Sequence, residues 1–166
     1  MKILKKNSKN AKQALKEYKV IARNLKLFAN SDEDLKVISA HLQDSIVSTK
    51  DAANLKKSRI FLIQLNRFMW EDIEKGVFRK NKRVRTVLKF DNVIKVTSKK
   101  IKQNNTSEFL DFLAIESNQM TDNTYEIKLI FSGDSVIKLI TEVIDVTLDD
   151  QGSPWESKVK PKHKFL

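Results

Sequence analysis

Residues 125–135 read YEIKLIFSGDS, and the alternation in this stretch decides the fold class. Tyr125, Ile127, Leu129 and Phe131 take one parity, with Glu126 and Lys128 on the other. That is the two-residue period of a strand with one buried face. Ser132-Gly133-Asp134-Ser135 then reads as a hairpin turn, because Gly133 can take the positive φ such turns require. In the run that follows, the apolar phase is odd at Ile137 and Leu139 but even at Ile144, Val146 and Leu148. A bulge or a sheet corner produces such a slip. Asp149 to Pro154 is expected to end the sheet, leaving an extended tail around Trp155, Pro161 and His163.

The same period runs upstream. Residues 59–68 place Phe61, Ile63 and Leu65 on one face and Gln64 and Asn66 on the other. Val84, Thr86, Leu88, Phe90, Ile94 and Val96 are all even-numbered, while Arg83, Arg85, Lys89, Lys95 and Lys99 are odd. Residues 84–96 therefore read as one strand or bent ribbon with an apolar and a basic face. Residues 109–115 are apolar on both faces apart from Asp111, as in a central strand. Leu25–Phe28 suggests a further short strand.

One segment breaks the pattern. Ser31-Asp32-Glu33-Asp34 is a capping box, in which Ser31 accepts from the Asp34 amide and three acids oppose the helix dipole. Leu35, Ile38 and Leu42 follow at helical spacing, predicting a helix near 32–43. Ala11, Leu15, Tyr18, Ala22 and Leu25 form a thinner helical stripe among lysines, expected to be a solvated tail or an amphipathic anchor. The expected architecture is α+β. One capped helix packs on a curved, mostly antiparallel sheet of roughly six strands, as a sandwich or partly closed barrel. The organisation read is a basic extension over 1–24, one globular domain over 25–152 and a basic extended tail over 153–166.

The chain of 166 residues contains no cysteine, so disulfides, thiolate metal sites and Cys nucleophiles are excluded, and a cytoplasmic location is expected. No apolar run suggests a membrane span or a signal peptide. The net charge of +11 is uneven: residues 1–25 carry +7, 79–102 carry +9 and 103–152 carry −8. Such polarity suits an anionic partner, and it suits solubility equally.

The segment Asp34-Leu35-Lys36-Val37-Ile38-Ser39-Ala40-His41-Leu42-Gln43-Asp44 resembles a recurrent stretch of an uncharacterised bacterial family, domain of unknown function 2948. So does Leu65-Asn66-Arg67-Phe68-Met69-Trp70-Glu71, and the similarity continues through Phe131-Ser132-Gly133, Ile144 to Leu148, Asp149 and Trp155. It spans about residues 25–163. The family pattern carries Asp where Met69 stands, which puts a polar role at that position in doubt. The resemblance implies no activity.

Chemistry-bearing residues are few. His41 and His163 are the only histidines, and Gly76, Gly133 and Gly152 are isolated, so neither a phosphate loop nor a dinucleotide fingerprint is present. No cofactor or metal is expected. His41, Arg67, Trp70 and Asp111 are the candidates for a pocket. His41 either meets the helix dipole or serves as a base, and Asp111, if buried, needs a partner such as Arg67 or a Lys. Arg67, Trp70 and Trp155 either grip a base or carboxylate or pin a sheet edge. Asp149-Asp150 reads as a solvated turn.

Arg79, Lys80, Lys82, Arg83, Arg85, Lys89, Lys95 and Lys99 form the candidate nucleic-acid-binding block, with cations expected along one strand face about 6–7 Å apart. The block shows no interleaved aromatic on that face, so base stacking is not expected. The leading expectation is a non-enzymatic accessory domain that contacts an anionic partner such as RNA. The alternative is a protein-interaction or structural module, and an enzyme using Asp111, Arg67 and His41 comes third.

Overall fold

A computed structural model describes residues 12, 13, 24–71, 81–102, 108–158 and 161. The stripe at Leu15, Tyr18 and Ala22, the cations Arg79 and Lys80, and His163 lie outside the described residues. None of the described helices is long and apolar enough to cross a membrane.

Helix α1 (Asp32–Leu42) begins where the capping box places it. Ser31 Oγ accepts from the Asp34 amide at 3.2 Å, and the Asp34 carboxylate accepts from the Asn30 amide at 3.1 Å, one residue upstream of the usual reciprocal bond. Leu35, Ile38 and Leu42 are buried, the stripe that makes this helix part of the core rather than a surface coil.

Ten strands follow the alternating pattern: β1 (Lys26–Ala29), β2 (Ile46–Ser48), β3 (Ala52–Leu55), β4 (Ile60–Phe68), β5 (Lys82–Phe90), β6 (Val93–Lys99), β7 (Phe109–Gln119), β8 (Tyr125–Phe131), β9 (Val136–Thr141) and β10 (Val146–Glu156). They form one antiparallel sheet in the order β1-β10-β5-β4-β2-β7-β8-β9-β6, with β3 also paired to β4. The α+β class stands, and the sheet is not closed into a barrel. Six strands were expected because two runs that read as single strands are each two, and because the short β2 and β3 carry no readable period. The chain turns at Asp91-Asn92, where Asn92 takes φ 58°, and β5 and β6 lie far apart in the sheet. Parity flips there too: Val93 is buried while Ile94 is 48% exposed, and the β6 pairing is irregular between Val93 and Lys95. The slip between Leu139 and Ile144 is a corner that carries the chain from β9, beside β6 and β8, to β10, beside β1 and β5.

The β8–β9 turn has Gly133 at φ 70° and Asp134 at φ 58°, both positive, as in the type I′ turn that matches strand twist. Two expectations fail. β10 does not end at Asp149 but continues to Glu156, because a register shift with Gly152 at φ 70° absorbs the break and pairing resumes at Trp155. β7 is interior but has one buried face only: Leu110, Phe112 and Ile115 point inward, while Phe109, Asp111 and Leu113 are exposed.

The core draws on both runs of the sheet. Phe61, Leu88 and Leu148 from one and Phe112, Leu129 and Leu139 from the other share a cluster with Leu35, Ile38 and Leu42. Strand β2 joins the runs, with Ile46 opposite Asn66 on one side and Asp111 on the other. Beyond Asp111 that edge of β7 meets α1 instead of a strand: Ser39 Oγ accepts from the Ile115 amide at 3.0 Å, and Ser117 donates to the Asp32 carboxylate. The helix thus satisfies the Ile115 edge amide and ties the Ser117 hydroxyl beside it.

Candidate nucleic-acid interface

Arg67 continues the odd-numbered series of Phe61, Ile63 and Leu65, so the strand period turns it inward, where it is 0% exposed. A buried guanidinium requires acceptors, and two carboxylates supply them. Asp150 receives Nε at 2.8 Å and Nη2 at 2.7 Å. Glu71 receives Nη1 at 3.0 Å and Nη2 at 2.8 Å. Burial pulls the Arg67 pKa down, but the hydrogen bonds and charges of Asp150 and Glu71 outweigh it and hold the pKa above its ordinary value. Asp150 also accepts from the Leu25 amide at 2.9 Å, so one cluster pins β1, β10 and β4 together. The reading of Asp149-Asp150 as a solvated turn is therefore corrected for Asp150, which the alternation of β10 places inside. With its donors engaged, Arg67 is a staple rather than a ligand-gripping group.

The four pocket candidates do not assemble as one site. His41 and Trp70 line a shallow depression with Lys36, Val37, Ala40 and Glu71, and Arg67 sits behind it, reached through Glu71. The Trp70 indole donates to the Gln43 carbonyl at 2.9 Å and packs edge-on to Phe68 at 4.6 Å. Asp111 is elsewhere: it is exposed on β7, and its charge acts on Arg83. Among the described residues, no group of three or more His, Asp or Glu side chains is arranged to hold a metal.

The expected single line of cations is also broken. Arg83 is buried, donates through Nη1 to the Asp44 and Asn66 carbonyls at 3.1 and 3.0 Å, and lies 5.7 Å from the Phe68 ring. Burial lowers its pKa against the opposing charges of Asp111 and Asp44. Lys82 is half-buried, and Lys89 pairs with Asp91 at 3.1 Å. Lys95 and Lys99 are exposed, but on β6 at the far end of the sheet. The turn at Asn92 is the cause, since it moves the second half of the block to another neighbour.

What the register does assemble is a grid on the outer face of β4, β5, β10 and β1, because opposed residues of antiparallel strands share a face. The first row is Phe68, Arg83 and Trp155, and the second Asn66, Arg85 and Gln151. The third is Gln64, Val87, Asp149 and Lys26, and the fourth Leu62, Lys89, Thr147 and Phe28. Rows are about 6.7 Å apart and strands about 4.8 Å. Phe28 is 69% exposed and Trp155 40%, at opposite ends of the grid. Lys26 lies 4.0 Å from the Asp149 carboxylate and 5.8 Å from the Phe28 ring. Arg85 is exposed between two amide side chains, and no carboxylate pairs with it among the described residues.

A family model described as "Protein of unknown function (DUF2948)" matches residues 25–163. The chain belongs to the DUF2948 family. No curated protein and no solved structure matches it. All ten strands and α1 of this DUF2948 protein lie inside the matched residues. Sequence reasoning did not place Lys26, Phe28 and Gln151 on this face and grouped Trp155 with Arg67, whereas Trp155 faces outward and Arg67 inward. The alternation of Lys26, Leu27 and Phe28 holds part of the signal. Which strand lies beside β1 does not show in local sequence, because the partner β10 is more than a hundred residues away.

Proposed function

We propose that the outer face of β4, β5, β10 and β1 is a platform for single-stranded RNA, and that the domain is a binding module rather than an enzyme. The observation that carries this reading is Arg85, exposed between Asn66 and Gln151 on a face with Trp155 at one end and Phe28 at the other. Single-strand binders combine cations that meet phosphates with aromatic rings on which bases stack. Three row steps separate Trp155 from Phe28, roughly 20 Å along the strands, so a short extended strand spans the face. Asn66 and Gln151 offer donors and acceptors to base edges or sugars. Lys26 neutralises Asp149, and Lys89 carries its own counter-ion in Asp91, which leaves Arg85 as the principal phosphate anchor.

The test is fluorescence anisotropy with a twelve-nucleotide oligouridylate from low to physiological salt. Arg85→Gln is expected to weaken binding and to lower the slope of log affinity against log salt by about 0.7. Phe28→Ala and Trp155→Ala are each expected to weaken binding about fivefold or more with little change in slope, since stacking is the lost term. A folded Arg85→Gln protein with unchanged affinity and slope overturns the reading.

A further inference from the structure

Between the two runs of the sheet, away from the outer face, lies a half-open cavity of about 180 Å³. Its floor is apolar and buried, formed by Val47, Phe61, Ile63, Leu110, Phe131 and Ile137. Ala52, Val96 and Ile101 make the half-buried walls, and the exposed rim carries Asn54 and Ser98 beside the half-buried Ser48 and Thr49. Among the described residues, no charged side chain lines it. The strand period builds this gradient: alternate residues of β3, β4, β6 and β9 supply apolar surface, and the chain ends nearest the opening supply amide and hydroxyl groups.

Because the cavity is half open, the apolar side chains of its floor lack packing partners on one side, surface that a ligand of matching shape would cover. A cavity of about 150 Å³ lined by Leu, Ile and Phe stays dry and takes up benzene. Water has few partners on this floor, and the polar groups all sit at the rim, where a ligand's head would emerge.

We propose that this cavity is a binding site for a small, neutral amphiphile, an aliphatic or aromatic body of roughly six to nine non-hydrogen atoms ending in one hydroxyl or carbonyl. The body fills the floor between Phe61, Phe131 and Ile137, and the head hydrogen-bonds at the rim with Asn54 or Ser98. The described lining holds hydroxyl and amide groups but no counter-charge, which selects against charged heads, because a buried or half-buried charge without a partner is disfavoured. The site stands independently of RNA binding, since it opens between the runs and shares no residue with the outer grid.

Linear alcohols are the probe. Calorimetric titration of the full chain should show affinity rising about fourfold for each methylene from 1-butanol to 1-hexanol, the increment expected for a buried CH₂. The rise should stop by 1-decanol, whose chain exceeds the cavity. Hexanoate and hexylamine should bind at least tenfold more weakly than 1-hexanol. Ala52→Leu and Val96→Phe fill the opening from opposite walls, and each should weaken 1-hexanol binding at least tenfold without lowering the melting temperature. Methyl NMR of the unaltered protein gives a readout that needs no variant: 1-hexanol should shift Val47, Ile63, Leu110 and Ile137. Absence of saturable 1-hexanol binding, equal binding by a folded filled variant, or methyl shifts confined to other residues overturns the proposal.

Discussion

Arg67 shows how strongly strand period constrains a charged residue. Its parity commits it to the inside, and the fold answers with two carboxylates that use its donors. Replacing it by Met leaves Asp150 and Glu71 without their cation in a buried setting, which costs about 3–5 kcal/mol. A urea denaturation midpoint close to that of the unaltered protein would contradict the staple. Asp32 is a second residue with a defined electrostatic role. The hydrogen bond from Ser117, and then that from Lys36, hold its carboxyl below the usual value. A depressed folded pKa favours the folded state above the ordinary carboxylate value of about 3.9, and that contribution disappears as pH falls through the folded pKa. Ser117→Ala should move the Asp32 titration upward, toward the ordinary value, in a carboxyl-detected NMR titration. An unmoved titration would mean that Lys36 alone sets it.

At the scale of elements, local chemistry was legible and neighbourhood was not. Ser31 and its acids place the start of α1 because a cap is a contact across three residues. Ser31→Ala should therefore destabilise the protein by about 1 kcal/mol, read as a lower denaturant midpoint with an unchanged slope. The hairpin at Gly133 was readable for the same reason. The break at Asn92 was not, because the even-numbered apolar series runs on through Ile94 and Val96 and hides a change of face at Val93. Strand β2, only three residues long, offers too short a period to detect, yet it joins the two runs. Of the candidate site, the cations Arg85 and Lys89 were legible as outward residues of β5. Arg83 has the same parity and shares its row with Phe68 and Trp155, but it is buried, engaged with the Asp44 and Asn66 carbonyls and the Phe68 ring, contacts only the assembled sheet makes.

Over the whole molecule, sheet order decides which of these outward residues become neighbours. Strand β10 carries Trp155 and Gln151 to β5, and β1 adds Phe28 and Lys26 from the start of the family match. The charge polarity of the chain is thereby reorganised: the basic stretch that spans β5 and β6 is divided between distant positions in the sheet, and only its first half gains aromatic company. The central claim is that this first half is the RNA platform. Amide chemical-shift mapping with an eight-nucleotide oligouridylate tests it most directly. Saturable shifts should cluster at Lys26–Phe28, Arg85–Lys89 and Gln151–Trp155. Shifts centred instead on Lys128 and Lys138 of β8 and β9, or no saturable shift at low salt, would contradict it.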